Sequence, residues 1–295
     1  MQSTNSIGQD IDAWLVKRLP IVGNWESYFS DHDEGLGTTY ERFILHNYFT
    51  TIKNQFDIKS IIEVPSFGMT GVSGINSLWW AKQGIKTTVV DVNADRLNHI
   101  KKVWSDIPLK ADFMLTEKLN ALPFSDKSID CSWNFASLWF VDDLDKFLTE
   151  LSRITKKVIF ISVPNRNGLG FLLRFGFRLK NKDNFFLNHI LPSKIIKILK
   201  LKNWKLLDEG YFDIPPWPDI PMKKEDLFRK LGLGFIFKDK KSKNENPEEM
   251  CILNYFNGTQ PEMEKKILKY SILERSPFPV KNLWGHHRYF IFVPE

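Results

Sequence analysis

The sequence predicts an α/β protein built as helices layered on both faces of a mostly parallel sheet. Three observations predict it. Short apolar or β-branched runs alternate with amphipathic stretches from residue 58 onward. The first run ends in an acid and a glycine-bearing loop that opens a helix. The second run ends in an aspartate. Repeated strand–helix units of this length imply parallel strands joined by right-handed crossovers.

Residues 1–57 read as an N-terminal helical extension. Tyr40, Phe43, Ile44, Asn47, Tyr48 and Thr51 fall near helical spacing, which predicts a helix over 39–55, behind the Gly/Asp-rich loop at 30–39. Ile61 to Val64 is the first strand, and Gly74 to Lys82 the helix after it, stopped near Gly84. Thr87 to Val90 is a β-branched run ending at Asp91, the pattern of a strand buried on both faces. Asp95 to Trp104 reads as a helix and Ile129 to Trp133 as a strand. Asp142 to Ile154 is a helix with Leu144, Phe147, Leu148 and Leu151 on one face, and Val158 to Val163 a strand closed by Pro164-Asn165.

Further on, Pro192 opens a helix carrying Ile195, Ile196, Ile198 and Leu199. Leu206 to Phe212 and Arg288 to Val293 are the late strands. Residues 213–285 then form an inserted segment between them. The core domain is thus 58–212 with 286–295. The insertion bears Trp217, Phe228, Phe235, Phe237, Tyr255 and Phe256, which predicts an aromatic lid over an acceptor pocket. Its stretch 238–249 reads as an exposed loop. The apolar and basic stretch 166–180 reads as cover for a sheet edge.

The chain has 295 residues, 43% hydrophobic and 26% charged, so it can bury a large core without disulfides or a structural metal. Its two cysteines, Cys131 and Cys251, sit in apolar contexts and read as buried thiols of a reducing compartment. No basic-then-apolar leader opens the sequence, and no run of about 18 apolar residues exists. A cytoplasmic protein without a membrane span is expected. No Cys/His cluster has metal-ligand spacing, so no metal is expected, and the adjacent His286-His287 reads as ordinary surface or core histidines. The net charge of +6 is mild and its lysines are spread, which reads as a solvated surface and makes a nucleic-acid partner unlikely.

The chemistry concentrates in Glu63 to Asn76. A strand ends in an acid, a loop with Gly68, Gly71 and Gly74 follows, and a helix begins. Glycines let the backbone approach a ligand, and a helix N-terminus offers free N–H groups. Asp91, one strand–helix step later, is placed to accept both ribose hydroxyls of a nucleoside. Together these residues resemble the class I S-adenosylmethionine-dependent methyltransferases. Glu63 to Gly74 matches that family's first motif, Thr88 to Asp91 its second, and Leu122 to Asp130 the approach to its fourth strand. Leu138 to Arg153 and Val158 to Asn165 resemble the helix and strand that follow. The departure is Pro65, which stands where the family has its first glycine, in a longer loop.

The resemblance implies a Rossmann-like three-layer sandwich with a mostly parallel seven-stranded sheet, S-adenosylmethionine as cofactor, and a small-molecule acceptor, apolar or lipid-linked. It implies that amides of Gly68 to Gly74 hold the methionine portion with Glu63 near its ammonium. Asp91 takes the ribose, Val92 packs on the adenine, and Glu117 meets the adenine amine. Asn134 and Phe135 line the methyl group, and Tyr40 and Arg42 close over the methionine carboxylate. For a proton acceptor the candidates are His189, Asp213 and His286, with His46 and Asp219 behind them. An RNA or protein methyltransferase and a non-catalytic methyltransferase-like scaffold are the alternatives. The oligomeric state is not read from the sequence.

Overall fold

In a computed structural model, the structure describes residues 13–68, 71–176, 185–217 and 250–295. Short helices α1 (Ala13–Arg18), α2 (Pro20–Asn24) and α3 (Ser27–Ser30) precede the long α4 (Gly35–Phe56). The alternating core follows: β1 (Ser60–Glu63), α5 (Leu78–Lys82), β2 (Lys86–Asp91), α6 (Ala94–Ser105), β3 (Asp112–Leu115), β4 (Ile129–Phe135), α7 (Leu144–Ile154) and β5 (Thr155–Pro164). After it come α8 (Leu169–Phe175), α9 (Pro192–Lys200), β6 (Trp204–Phe212), α10 (Ile252–Phe256), α11 (Met263–Leu268), α12 (Phe278–Trp284) and β7 (His287–Pro294).

The seven strands form one sheet in the order β3-β2-β1-β4-β5-β7-β6. All pairs are parallel except those of β7, which runs antiparallel to both β5 and β6. The expected Rossmann-like architecture is therefore present. Every residue of β4 is buried, as a central strand covered on both faces requires. The order reverses between β1 and β4, and in such sheets ligands bind at the carboxyl ends beside that switch.

Each face has its own core. On one, Phe49 of α4 sits among Trp79, Trp80, Trp133 and Phe160, with ring centroids 4.8–6.2 Å away. On the other, Phe147, Leu148 and Leu151 of α7 pack with Ile159 and Ile161 of β5 and with Phe290 and Phe292 of β7. The Asp143 side chain accepts from Lys146 N at 3.0 Å and caps α7 where the sequence places its start. Cys131 and Cys251 are both buried. Among the described residues no helix is long and apolar enough to cross a membrane.

The sequence reading extends α5 too far. The helix starts at Leu78, because Gly71 and Gly74 hold φ of +52° and +70° and interrupt helical geometry. A Cβ at Gly74 would press on Ile100 of α6 and Val89 of β2, so the loop lies tight against the next unit. The edge strand β3 and the helices α1 to α3 and α8 escape the sequence reading, being short and only half-buried. Phe171 and Phe175 of α8 are buried while Leu173 is exposed. Residues 177–180 of the expected edge cover, the loop 238–249, and Asp219, Phe228, Phe235 and Phe237 lie outside the described residues.

Candidate functional site

The loop after β1 is stitched across the carboxyl end of the sheet. Val64 N donates to Trp133 O at 3.0 Å and Ser66 N to Val90 O at 2.9 Å, so one turn touches β4 and β2 together. A Cβ at Gly68 would run into the Phe135 carbonyl oxygen, which is why only glycine fits there. The Ser66 hydroxyl donates to Asp91 Oδ2 at 2.5 Å. The turn and the Asp91 carboxylate therefore face the same crevice.

Asp91 is wholly buried and its oxygens are fully engaged. Besides Ser66, Arg96 donates from Nε to Oδ2 at 2.8 Å and from Nη2 to Oδ1 at 2.5 Å, and Asn93 N donates to Oδ1 at 2.8 Å. The Arg96 guanidinium stacks over Phe67 at 4.2 Å and lies 5.5 Å from the Trp25 ring. Val92 is 41% exposed beside it. Glu117 is exposed, one residue past Thr116, whose N–H donates to Asp91 O at 3.0 Å.

Next to this lies a second buried ion pair. Arg42 of α4 holds the Glu34 carboxylate in a two-pronged bond, and Glu34 also accepts the Val72 N–H of the glycine loop at 2.8 Å. Arg42 further donates to Asn76 Oδ1 at 2.6 Å and to Val72 O at 3.1 Å. Glu63 is buried behind the loop and accepts from the Ser77 hydroxyl at 2.5 Å. Burial raises its carboxyl pKa to about 8, although the Ser77 hydroxyl and Arg42 oppose the shift.

At the carboxyl end of β4 the crevice becomes polar in a different way. Asn134 is wholly buried, and neither its amide nitrogen nor its amide oxygen has a partner among the described residues. An unsatisfied buried polar group costs about 1–3 kcal/mol, so such an amide marks a place for a ligand or water. Phe135 lies 4.7 Å from the His287 ring. His287 Nε2 is 3.0 Å from Glu41 Oε2, and His286 Nδ1 is 2.7 Å from Asp213 Oδ2. Glu274 accepts from Tyr40 Oη at 2.8 Å and from Ile214 N at 2.6 Å. The Tyr40 ring packs on Trp217 at 5.5 Å, and Trp217 on Tyr270 at 5.4 Å.

The structure thus gathers most residues singled out in the sequence and separates a few. Glu63, Gly68, Gly71, Gly74, Asp91, Asn134 and Phe135 share the crevice. Asp213 and His286 meet as a hydrogen-bonded pair. Arg42 faces the glycine loop, but Tyr40 does not share that role: its hydroxyl is committed to Glu274 on the polar side. His189 stands elsewhere. Its Nδ1 bonds Val141 O at 2.9 Å, its ring stacks on Phe186, and burial lowers its pKa, all of which suit a structural histidine. His46 is buried among Phe43, Phe49, Trp79 and Phe256, and burial lowers its pKa to about 3, so it stays neutral. Tyr255 and Phe256 pack beside α4, with Lys82 over the Tyr255 ring at 3.8 Å, rather than beside Trp217.

Sequence reasoning missed Glu34, Glu41, Ser66, Arg96, Glu274 and His287. Arg96 carries a signal in hindsight. A cation in the first turn of a helix opposes the helix dipole, so Arg96 needed another reason to stand at the start of α6.

Residues 68–160 match the family described as Methyltransferase domain. That segment is thus similar to a methyltransferase domain, and S-adenosylmethionine is the cofactor that the resemblance implies. No curated protein matches the chain. Among solved structures it is similar to magnesium protoporphyrin IX methyltransferase from Synechocystis PCC 6803 with bound SAH. The identity is 15% and the TM-score 0.49, covering 68% of this chain and 93% of that one. It is also similar to a SAM-dependent methyltransferase from Archaeoglobus fulgidus, at 16% identity and TM-score 0.46, covering 86% and 94%.

The residues present fit that cofactor by the chemistry of their donor sets. A diol needs a carboxylate, and Asp91 supplies one; an α-carboxylate needs a cation and an N–H, and Arg42 and Val72 supply both. In the structure the Arg96 guanidinium bonds Asp91, and the Glu34 carboxylate bonds Arg42 and Val72 N.

Proposed function

We propose that this chain transfers the methyl group of S-adenosylmethionine to an oxygen acid of a small, largely apolar acceptor. The acceptor would sit between Asn134, Phe135 and the His286–Asp213 pair. The observation that carries this reading is the buried polar cluster at the carboxyl ends of β4 and β6 and the amino end of β7, walled by Tyr40, Phe212 and Trp217. An apolar wall with a few convergent polar groups suits a small organic ligand. In the same reading Trp217, in the described part of the inserted segment, covers the acceptor.

Asp91 exchanges Arg96 for the ribose hydroxyls, and Arg42 with Val72 N exchanges Glu34 for the α-carboxylate. Val92 lies against the adenine and Glu117 near its amine. Glu63, held protonated by burial, ionises beside the α-ammonium. The cofactor, when bound, supplies an electrophilic methyl group on a sulfonium. The remaining task is to align the nucleophile behind that methyl and exclude water. Asp213 holds the proton of His286 on Nδ1, which leaves Nε2 as the basic nitrogen for the acceptor's proton.

A specific observation favours a second reading, a methyltransferase-like scaffold without turnover. Asp91–Arg96 and Glu34–Arg42 satisfy both ends of the site from within the chain. Calorimetry with S-adenosylmethionine, its demethylated product and NAD separates the readings. Radiolabelled methyl transfer to a panel of phenols, carboxylic acids and prenylated alcohols then tests the acceptor class. Micromolar binding of cofactor and product, with label passing to one class, supports the enzyme. Absence of binding in both the wild type and Arg96→Met sinks it.

A further inference from the structure

We infer that Glu41, Asp213 and His287 form a site for a divalent transition-metal cation at the acceptor end of the crevice. The three residues come from distant places: α4, the turn after β6, and the start of β7. One donor atom from each lies within 4.8 Å of the other two. All three are buried, at 5%, 2% and 0% exposure. Ions of the zinc class bind N and O ligands at about 2.0–2.2 Å, so two ligands on one ion stand roughly 3–4 Å apart. The 3.0 Å separation of Glu41 Oε2 and His287 Nε2 already meets that spacing.

A second observation points to a ligand. Asp213 Oδ1 is buried and has no partner among the described residues, while Oδ2 is held by His286. Asp213 also holds φ at +58°, a left-handed conformation that a non-glycine residue adopts at some cost and that clusters at functional sites. The carboxyl groups of Glu41, Asp213 and Glu274 meet two imidazoles here, so oxygen and nitrogen donors converge at one buried place.

The donor set chooses the class of ion. One imidazole with two carboxylates suits manganese, iron, cobalt or zinc, whereas magnesium and calcium favour all-oxygen ligands. Three protein ligands leave positions open for the acceptor. If the acceptor site is the one proposed above, the ion binds the acceptor's oxygen and lowers its pKa, with His286 in its outer sphere on Asp213.

The test uses the full chain after chelation. Manganese, zinc and magnesium are titrated by calorimetry, and cobalt is added with its visible d–d bands recorded. One equivalent of zinc or manganese per chain, binding at least tenfold tighter than magnesium, is expected, with a ligand-field spectrum for cobalt. Asp213→Asn and Glu41→Gln keep side-chain volume, so circular dichroism checks their fold. Each should weaken zinc binding at least tenfold and lose the cobalt bands, while Asp145→Asn on the exposed face of α7 changes neither. Uptake of less than one equivalent, or zinc binding that survives both variants, overturns the site. S-adenosylmethionine affinity, measured on the same samples, reports the methyltransferase reading separately.

Discussion

Arg96 is the residue whose replacement tests the candidate site most sharply, because the two roles open to it predict opposite signs. It is 6% exposed and gives Asp91 two charge-assisted hydrogen bonds, at 2.8 and 2.5 Å. Arg96→Met keeps an apolar stem against Phe67 and removes the cation. Breaking a buried ion pair costs about 3–5 kcal/mol of stability, since the remaining carboxylate stays desolvated. At roughly 2 °C per kcal/mol for a chain of this size, Tm falls on the order of 10 °C. Affinity for the cofactor moves the other way. If ribose hydroxyls take the oxygens that Arg96 holds, the wild type must first give up bonds with a net value of about 1.5–3 kcal/mol. Removing that competitor strengthens S-adenosylmethionine binding about ten- to a hundredfold. Isothermal calorimetry at 25 °C reads the affinity, and a thermal scan with and without cofactor reads the larger ligand-induced rise in Tm. Equal or weaker binding by Arg96→Met would refute the reasoning and make Arg96 a support for Asp91 rather than a stand-in.

Four further outcomes follow from the same geometry. Asp91→Ala should weaken binding of S-adenosylmethionine and its demethylated product by about 1–3 kcal/mol, and unchanged affinity in calorimetry would remove the ribose assignment. Glu63, with its pKa raised from 4.5 to about 8, keeps a proton in the native state that the unfolded chain loses; stability therefore falls as pH rises from about 4.5 to 8. At about 1.4 kcal/mol per pKa unit the drop is a few kcal/mol, and Glu63→Gln should flatten that part of the Tm-against-pH curve; an unchanged slope assigns it to other groups. Because the proposed α-ammonium draws Glu63 to its ionised form, cofactor binding at pH 7 should release protons, seen as a dependence of calorimetric heat on buffer ionisation enthalpy that Glu63→Gln abolishes. Phe49→Ala should cost about 3–5 kcal/mol in denaturant unfolding, given the rings of Trp79, Trp80, Trp133, Phe160 and His46 around Phe49.

The sequence by itself determined the layered fold, because that information is local. Alternation of β-branched runs with amphipathic helices follows from backbone periodicity, and the acid–glycine-loop–helix order with Asp91 lies within some thirty residues. Asp91, Gly68 and Glu63 were legible for that reason. Tertiary structure decided what each of those groups touches. The Asp91 carboxylate could have faced solvent or a ligand; only the docking of α6 on β2 brings Arg96 onto it. Glu34 reaches Val72 and Arg42 only because α4 lies across the glycine loop. Glu41, Asp213 and His287 are separated by 172 and 74 positions in the chain and share no spacing to detect. They meet because β6 and β7 pair antiparallel and set Phe212 against His287, leaving Asp213 and His287 at one end of the sheet under α4. Strand pairing and helix docking are non-local, so chemistry assembled by them became visible only once the chain was folded.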